Sequence, residues 1–258
     1  MAEQQRLTKQ ERRERDRQQR EQQRAEAART RRRKSLRNGA VTFVIVLAAG
    51  AVVYQALAGG PASIDEPILI ASDEAEQART AAGCEVLTER DPLPEPYHVD
   101  SSSDLDPDAV YTDTRPTHSG PHTTTTHPVV TSPSSQINEV SSTHNLEHGT
   151  VIAWYDPDQV DSATASQIGD WAELLTENGL VNRPAGVGIM SSPYEDGMSS
   201  GQAIAFRAWG TAMDCDEWDE TVANAFVLDH FGANGIAPER TLAGEIPNDI
   251  LSYEDDGN

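Results

Sequence analysis

Lysine disappears from this chain after Lys34, and cysteine occurs only twice, at Cys84 and Cys215. Beyond residue 37 the only fixed cations are Arg79, Arg90, Arg115, Arg183, Arg207 and Arg240. Against these 6 stand 36 acidic residues, a net charge of −30 for residues 38–258. Residues 1–37 are the reverse, with 14 Lys/Arg, 6 Asp/Glu and a net of +8. A segment this acidic repels phosphates and excludes nucleic acid as a partner. Two explanations of the acidity compete: adaptation to high salt, where a short Debye length screens the repulsion, or the gathering of cations. The acids are dispersed along the whole segment, which favours salt adaptation.

The N-terminal 1–38 also lacks an apolar stripe, since Leu7 is the only Leu, Ile or Val before Leu36. It reads as a basic, solvated tail. Gly39 to Ala58 then runs twenty residues without a charge. As a helix it would be about 30 Å long, enough to cross a bilayer's hydrocarbon core. Arg31-Arg32-Arg33-Lys34 and Arg37 precede this run, and Asp65 and Glu66 are the first charges after it. The positive-inside rule therefore predicts a single-pass cell-membrane protein with a cytoplasmic N-terminus and an extracytoplasmic C-terminal domain. The lipid bilayer is its expected partner, with anionic headgroups at the Arg cluster. Ala56-Leu57-Ala58 also fits a signal-cleavage site, but a basic leader this long favours an uncleaved anchor.

Beyond the span the expected organisation is a linker with a short helix over 59–82, a domain over 83–246 and an acidic, loose tail over 247–258. Ser72 is the expected N-cap of the short helix and Gly83 its stop. Residues 88–143 hold eight prolines among many Ser, Thr and His, which reads as a long irregular loop. Val151–Tyr155 reads as a strand, about 162–178 as an amphipathic helix, Val187–Met190 and Gln202–Trp209 as strands, and about 217–231 as a last helix. Strand–helix–strand–strand–helix predicts an α+β domain, a small mixed sheet packed with helices. Outside the membrane, Cys84 and Cys215 most simply form a disulfide.

All seven histidines lie in this acidic part, and five fall within 118–148. The sharpest unit is His144-Asn145-Leu146-Glu147-His148-Gly149. On a helical turn His144 and His148 share a face about 6 Å apart and can grip one metal ion. On a strand they would stand about 13 Å apart and could not. With His122 and His98 added, the set suits copper or zinc. The alternative is that these imidazoles only hold loop backbone in place. His-x-x-Glu-His is also the inverted zinc-protease pattern, but that chemistry needs a long helix, and here a strand begins at Thr150.

Three other motifs fail on context. Gly197–Gly201 fits a nucleophile elbow but opens onto a strand and reads as a hairpin turn. Asp104–Asp108 begins like a calcium loop, yet Ala109 and Arg115 stand where Gly and Glu are required. Gly186-Val187-Gly188 lacks the third glycine of a dinucleotide fingerprint.

Gly83-Cys84, Tyr97-His98-Val99, Ser119-Gly120-Pro121-His122, HNLEHG over 144–149, Ala208-Trp209-Gly210 and Cys215 together resemble an actinobacterial family, domain of unknown function 3105. The resemblance implies a basic leader, one membrane helix and a common domain fold. It also implies that His98, His122, His144, Glu147 and His148 form a shared polar cluster, with His118 outside it; it implies no activity. Three functions follow as expectations: extracytoplasmic copper or zinc binding, an envelope interaction or assembly module with an unspecified protein partner, or a metal-dependent hydrolase using Glu147.

Overall fold

The computed structural model describes residues 62–93, 96–112, 114–195 and 197–254, within the unit Pro61–Asn258. The expected tail 1–38 and membrane span 39–58 lie outside the described residues. Among those described, no helix is long and apolar enough to cross a membrane.

In chain order the elements are β1 (Ile68–Ile70), α1 (Ser72–Ala81), β2 (Glu85–Thr88), β3 (His98–Val99), α2 (Pro107–Val110), β4 (His122–Thr123) and α3 (Glu139–Glu147). They continue with β5 (Val151–Tyr155), α4 (Ser162–Glu177), β6 (Ile189–Pro193), β7 (Ile204–Ala208), β8 (Thr211–Cys215), α5 (Glu220–His230) and β9 (Leu251–Tyr253). The main sheet has the order β2-β8-β7-β5-β6, with only β5 and β6 parallel. The fold is a mixed α+β arrangement, as expected.

Alternation along β5 explains how the layers form. Val151 and Ala153 face one side, where Ile168, Trp171 and Leu175 of α4 and Val222 and Phe226 of α5 complete a core. Ile152 and Trp154 face the other, where they meet Leu146 of α3, Met190, Tyr194 and Trp209. Successive strand side chains point to opposite faces, so a strand buried on both must be apolar throughout. The helices start where short polar side chains satisfy free N–H groups. Asp161 accepts from Thr164 N at 2.8 Å and Asp219 from Val222 N at 3.0 Å. Asp106, in the calcium-like run, likewise caps α2.

Several expectations need correction. The predicted strand 202–209 is followed not by the helix but by a two-residue turn and a further strand, β8. Strand–helix–strand–strand–strand–helix is thus the order. The run Thr211–Cys215 lacks an apolar signature because it contains Asp214, fully buried and ion-paired to the equally buried Arg207. Gly197–Gly201 is no hairpin turn, because the strands it links, β6 and β7, flank β5 on opposite sides. The segment after Pro247 is not loose through Tyr253: β9 pairs in parallel with β1, in the stretch read as linker, and buries Leu251. The loop 88–143 contains β3, β4, α2 and the start of α3, whose N-cap is Asn138. At α1 the N-cap is Ala71, not Ser72. The disulfide Cys84–Cys215 is present and fastens the approach to β2 onto the end of β8.

Candidate metal centre

The site is assembled on the sheet face that α3 covers. Asn138 starts the helix by accepting from Ser141 N at 2.9 Å, and 144–147 are helix rather than strand, with His148 as the C-cap. His144 and Glu147 then lie one turn apart. Leu146 anchors the helix in the core below, and Asn145 pins the facing loop. The Asn145 amide donates to the carbonyls of His127 and Gly186, at 2.8 and 2.6 Å, and accepts from His127 N at 2.8 Å. The loop is also held from the sheet, where Arg207 Nε donates to Pro116 O at 2.6 Å.

Two short parallel strands supply the remaining imidazoles, since β3 and β4 pair with His98 opposite His122. Parallel register puts both side chains on one face, toward α3. His122 Nε2 lies 3.1 Å from His98 Nε2 and 3.0 Å from Glu147 Oε2. Glu147 Oε2 is 3.7 Å from His98 Nε2 and 3.9 Å from His144 Nε2. Four ligands about 2.1 Å from a tetrahedral ion stand roughly 3.4 Å apart, so this spacing suits zinc-like coordination. His98, His122, His144 and Glu147 each offer a ligand atom within 4.8 Å of the others.

Proton positions sharpen the case. His122 Nδ1 donates to Gly120 O at 2.8 Å. Nδ1 thus serves the backbone, and Nε2 is the ring atom that faces the Glu147 carboxylate. A ring nitrogen and a carboxylate oxygen 3.0 Å apart attract through a cation, proton or metal, lying between them. The donation to a backbone carbonyl is also how proteins orient a metal-binding imidazole. Gly120 turns its carbonyl toward the ring at φ +110°, a backbone state that side-chain-bearing residues rarely adopt. Trp209 closes one side, edge-on to His122 at 5.9 Å.

Burial keeps His144 in ligand form. Its pKa is pushed down to about 4, first by loss of hydration and then by the neighbouring His148 and His122, so it is neutral at pH 7. Its Nδ1 is buried without a hydrogen-bond partner. For Glu147, burial favours the neutral acid, but the hydrogen bond and charge of His122, with His144 and His98, outweigh it and hold the carboxyl below its ordinary range. His98 is the half-exposed member and opens the cluster to solvent.

Of the five expected site residues, four converge. His148 is adjacent, its ring 4.5 Å from that of His144, but it faces elsewhere: Nδ1 bonds Ala185 O and Nε2 lies 3.1 Å from Glu239 Oε2. Glu239 was invisible to sequence reasoning, standing far along the chain among many acids. Gly149 is what admits it. At φ +95° a Cβ there would stand 3.1 Å from Gly232 Cα, so glycine lets the segment after α5 lie against the end of α3. His118 is buried beside Ser119, and His230 is buried in α5; neither belongs to the cluster.

The arrangement defines a class, an α+β domain with a histidine-rich polar cluster fixed to one face of its sheet. Residues 105–245, more than half of the chain, match the family described as protein of unknown function (DUF3105), and the chain belongs to that family. No curated protein and no solved structure matches it significantly.

Proposed function

We propose that this chain is a membrane-anchored, extracytoplasmic domain that binds a transition metal, zinc or copper, through His98, His122, His144 and Glu147. The observation that carries it is the convergence of His122 Nε2, His98 Nε2, His144 Nε2 and Glu147 Oε2 on one point, with His122 oriented through its Nδ1 by Gly120 O. Three imidazoles and a carboxylate suit zinc or copper(II) better than magnesium or calcium. Four protein donors fill a tetrahedron, so the set favours a structural, storage or transfer site over a hydrolase, which needs an open position. The anchoring rests on the apolar run 39–58 and the basic residues before it. The disulfide supports an oxidising compartment.

The test uses the full chain without a His-tag, incubated with zinc and with copper in high salt and then analysed by metal mass spectrometry. One tightly held ion per chain is expected. His98→Ala and His144→Ala should each weaken it by more than the roughly 10–100-fold that loss of an outer-shell partner costs. A folded wild type holding no metal would mean that a proton, not a metal, joins His122 to Glu147, and that the cluster is structural.

A further inference from the structure

His148 leaves the first cluster and opens a second. Its Nδ1 donates to Ala185 O, which leaves Nε2 to face Glu239 Oε2, 3.1 Å away. Again a proton or a metal ion between ring nitrogen and carboxylate is what makes the contact attractive. Glu147 supplies the third donor, for Glu147, His148 and Glu239 each hold a ligand atom within 4.8 Å of the other two. Glu239 does not arrive there through side-chain flexibility alone. Its backbone N–H donates to Glu147 O at 3.1 Å, and Gly232 N donates to Gly149 O at 3.0 Å, fixing the whole segment along the end of α3.

We infer that His148, Glu239 and Glu147 form a second divalent-cation site beside the first, with Glu147 shared between them. The inference rests on reading the first cluster as a metal centre. One imidazole and two carboxylates are a harder donor set than three imidazoles and one carboxylate. Glu239 is also half exposed, whereas His122 and His144 are buried. The second ion is therefore held more weakly and exchanges with solvent, and three protein donors leave it a coordination position for water.

The experiment titrates zinc alone into the full-length chain. Metal is first stripped with a chelator, and excess magnesium in high salt covers the acidic surface. Calorimetry should show two zinc ions per chain, the second bound about tenfold or more weakly. Glu239→Gln, a change at a half-exposed side chain, should abolish the weak event and leave the tight one unchanged. A wild type that binds a single zinc ion, or a Glu239→Gln variant that still binds two, overturns the second site and leaves the first standing. A wild type that binds none while its circular dichroism is that of the folded protein overturns both.

Discussion

Burial sets the charge of a histidine as firmly as its neighbours do, and His230 shows this away from the metal cluster. It sits on α5 with its ring 4.6 Å from that of Phe226. Loss of hydration holds it down to about 4, against the opposing pull of Asp229. Unfolded histidine takes up its proton near pH 6.5. Between pH 6.5 and about 4 the unfolded chain therefore binds more protons than the folded one, and stability falls on acidification. The neutral ring's contribution is complete above pH 6.5 and is lost as the pH drops to about 4. Replacing it by His230→Gln should remove this part of the dependence. The wild-type advantage in urea midpoint should shrink from pH 7 through 5.5 to 4.5, and an advantage constant across that range contradicts the argument. At this scale the sequence named His98, His122, His144, Glu147 and His148, through clustered imidazoles and the family resemblance; the first four meet, and His148 turns away. It could not name Glu239, one acid among many.

Among the elements, the periodic ones were legible and the charged ones were not. Helices α4 and α5 follow from apolar residues at helical spacing behind an aspartate cap. Strand β8 escaped notice because Asp214, which reads as a turn residue, is neutralised by Arg207 inside the sheet. Helix α3 was only one of two options for HNLEHG until the Asn138 cap and the packing of Leu146 selected it. The disulfide couples two elements 131 residues apart in sequence, β2 at the sheet's edge and β8 within it. Closing a loop of that length restricts the unfolded chain, on the order of 4–5 kcal/mol in the chain-entropy model. The double variant Cys84→Ser/Cys215→Ser should lose about that much stability in guanidinium unfolding. A loss below about 1 kcal/mol would show that the unfolded chain is already restricted without the bond.

For the whole molecule the dominant fact is a net charge of −30 over residues 38–258. At 0.1 M salt the Debye length is about 10 Å, so neighbouring surface carboxylates repel; at 1 M it is about 3 Å and the repulsion is screened. The melting temperature should accordingly rise between 0.1 and 1 M sodium chloride. A gain of about 2 kcal/mol would appear as a shift of roughly 4–8 °C. A melting temperature that stays flat or falls argues that the acids serve to gather specific cations instead of adapting the surface to salt.

The sequence by itself determined the split between a basic leader and an acidic domain, the apolar run between them, the two amphipathic helices, the cysteine pair and the histidine motifs. Each is a local pattern of charge, spacing or residue type and survives without knowledge of what lies opposite. Only the tertiary structure decided that β9 closes back on β1, that β6 and β7 flank β5, and that a short parallel pairing of His98 with His122 meets one turn of α3. It also decided that His148 turns from that cluster toward Glu239. Those outcomes depend on which distant residues share a face. Strand register, close glycine contacts and the placement of single protons are fixed by packing across the chain, not by neighbours along it.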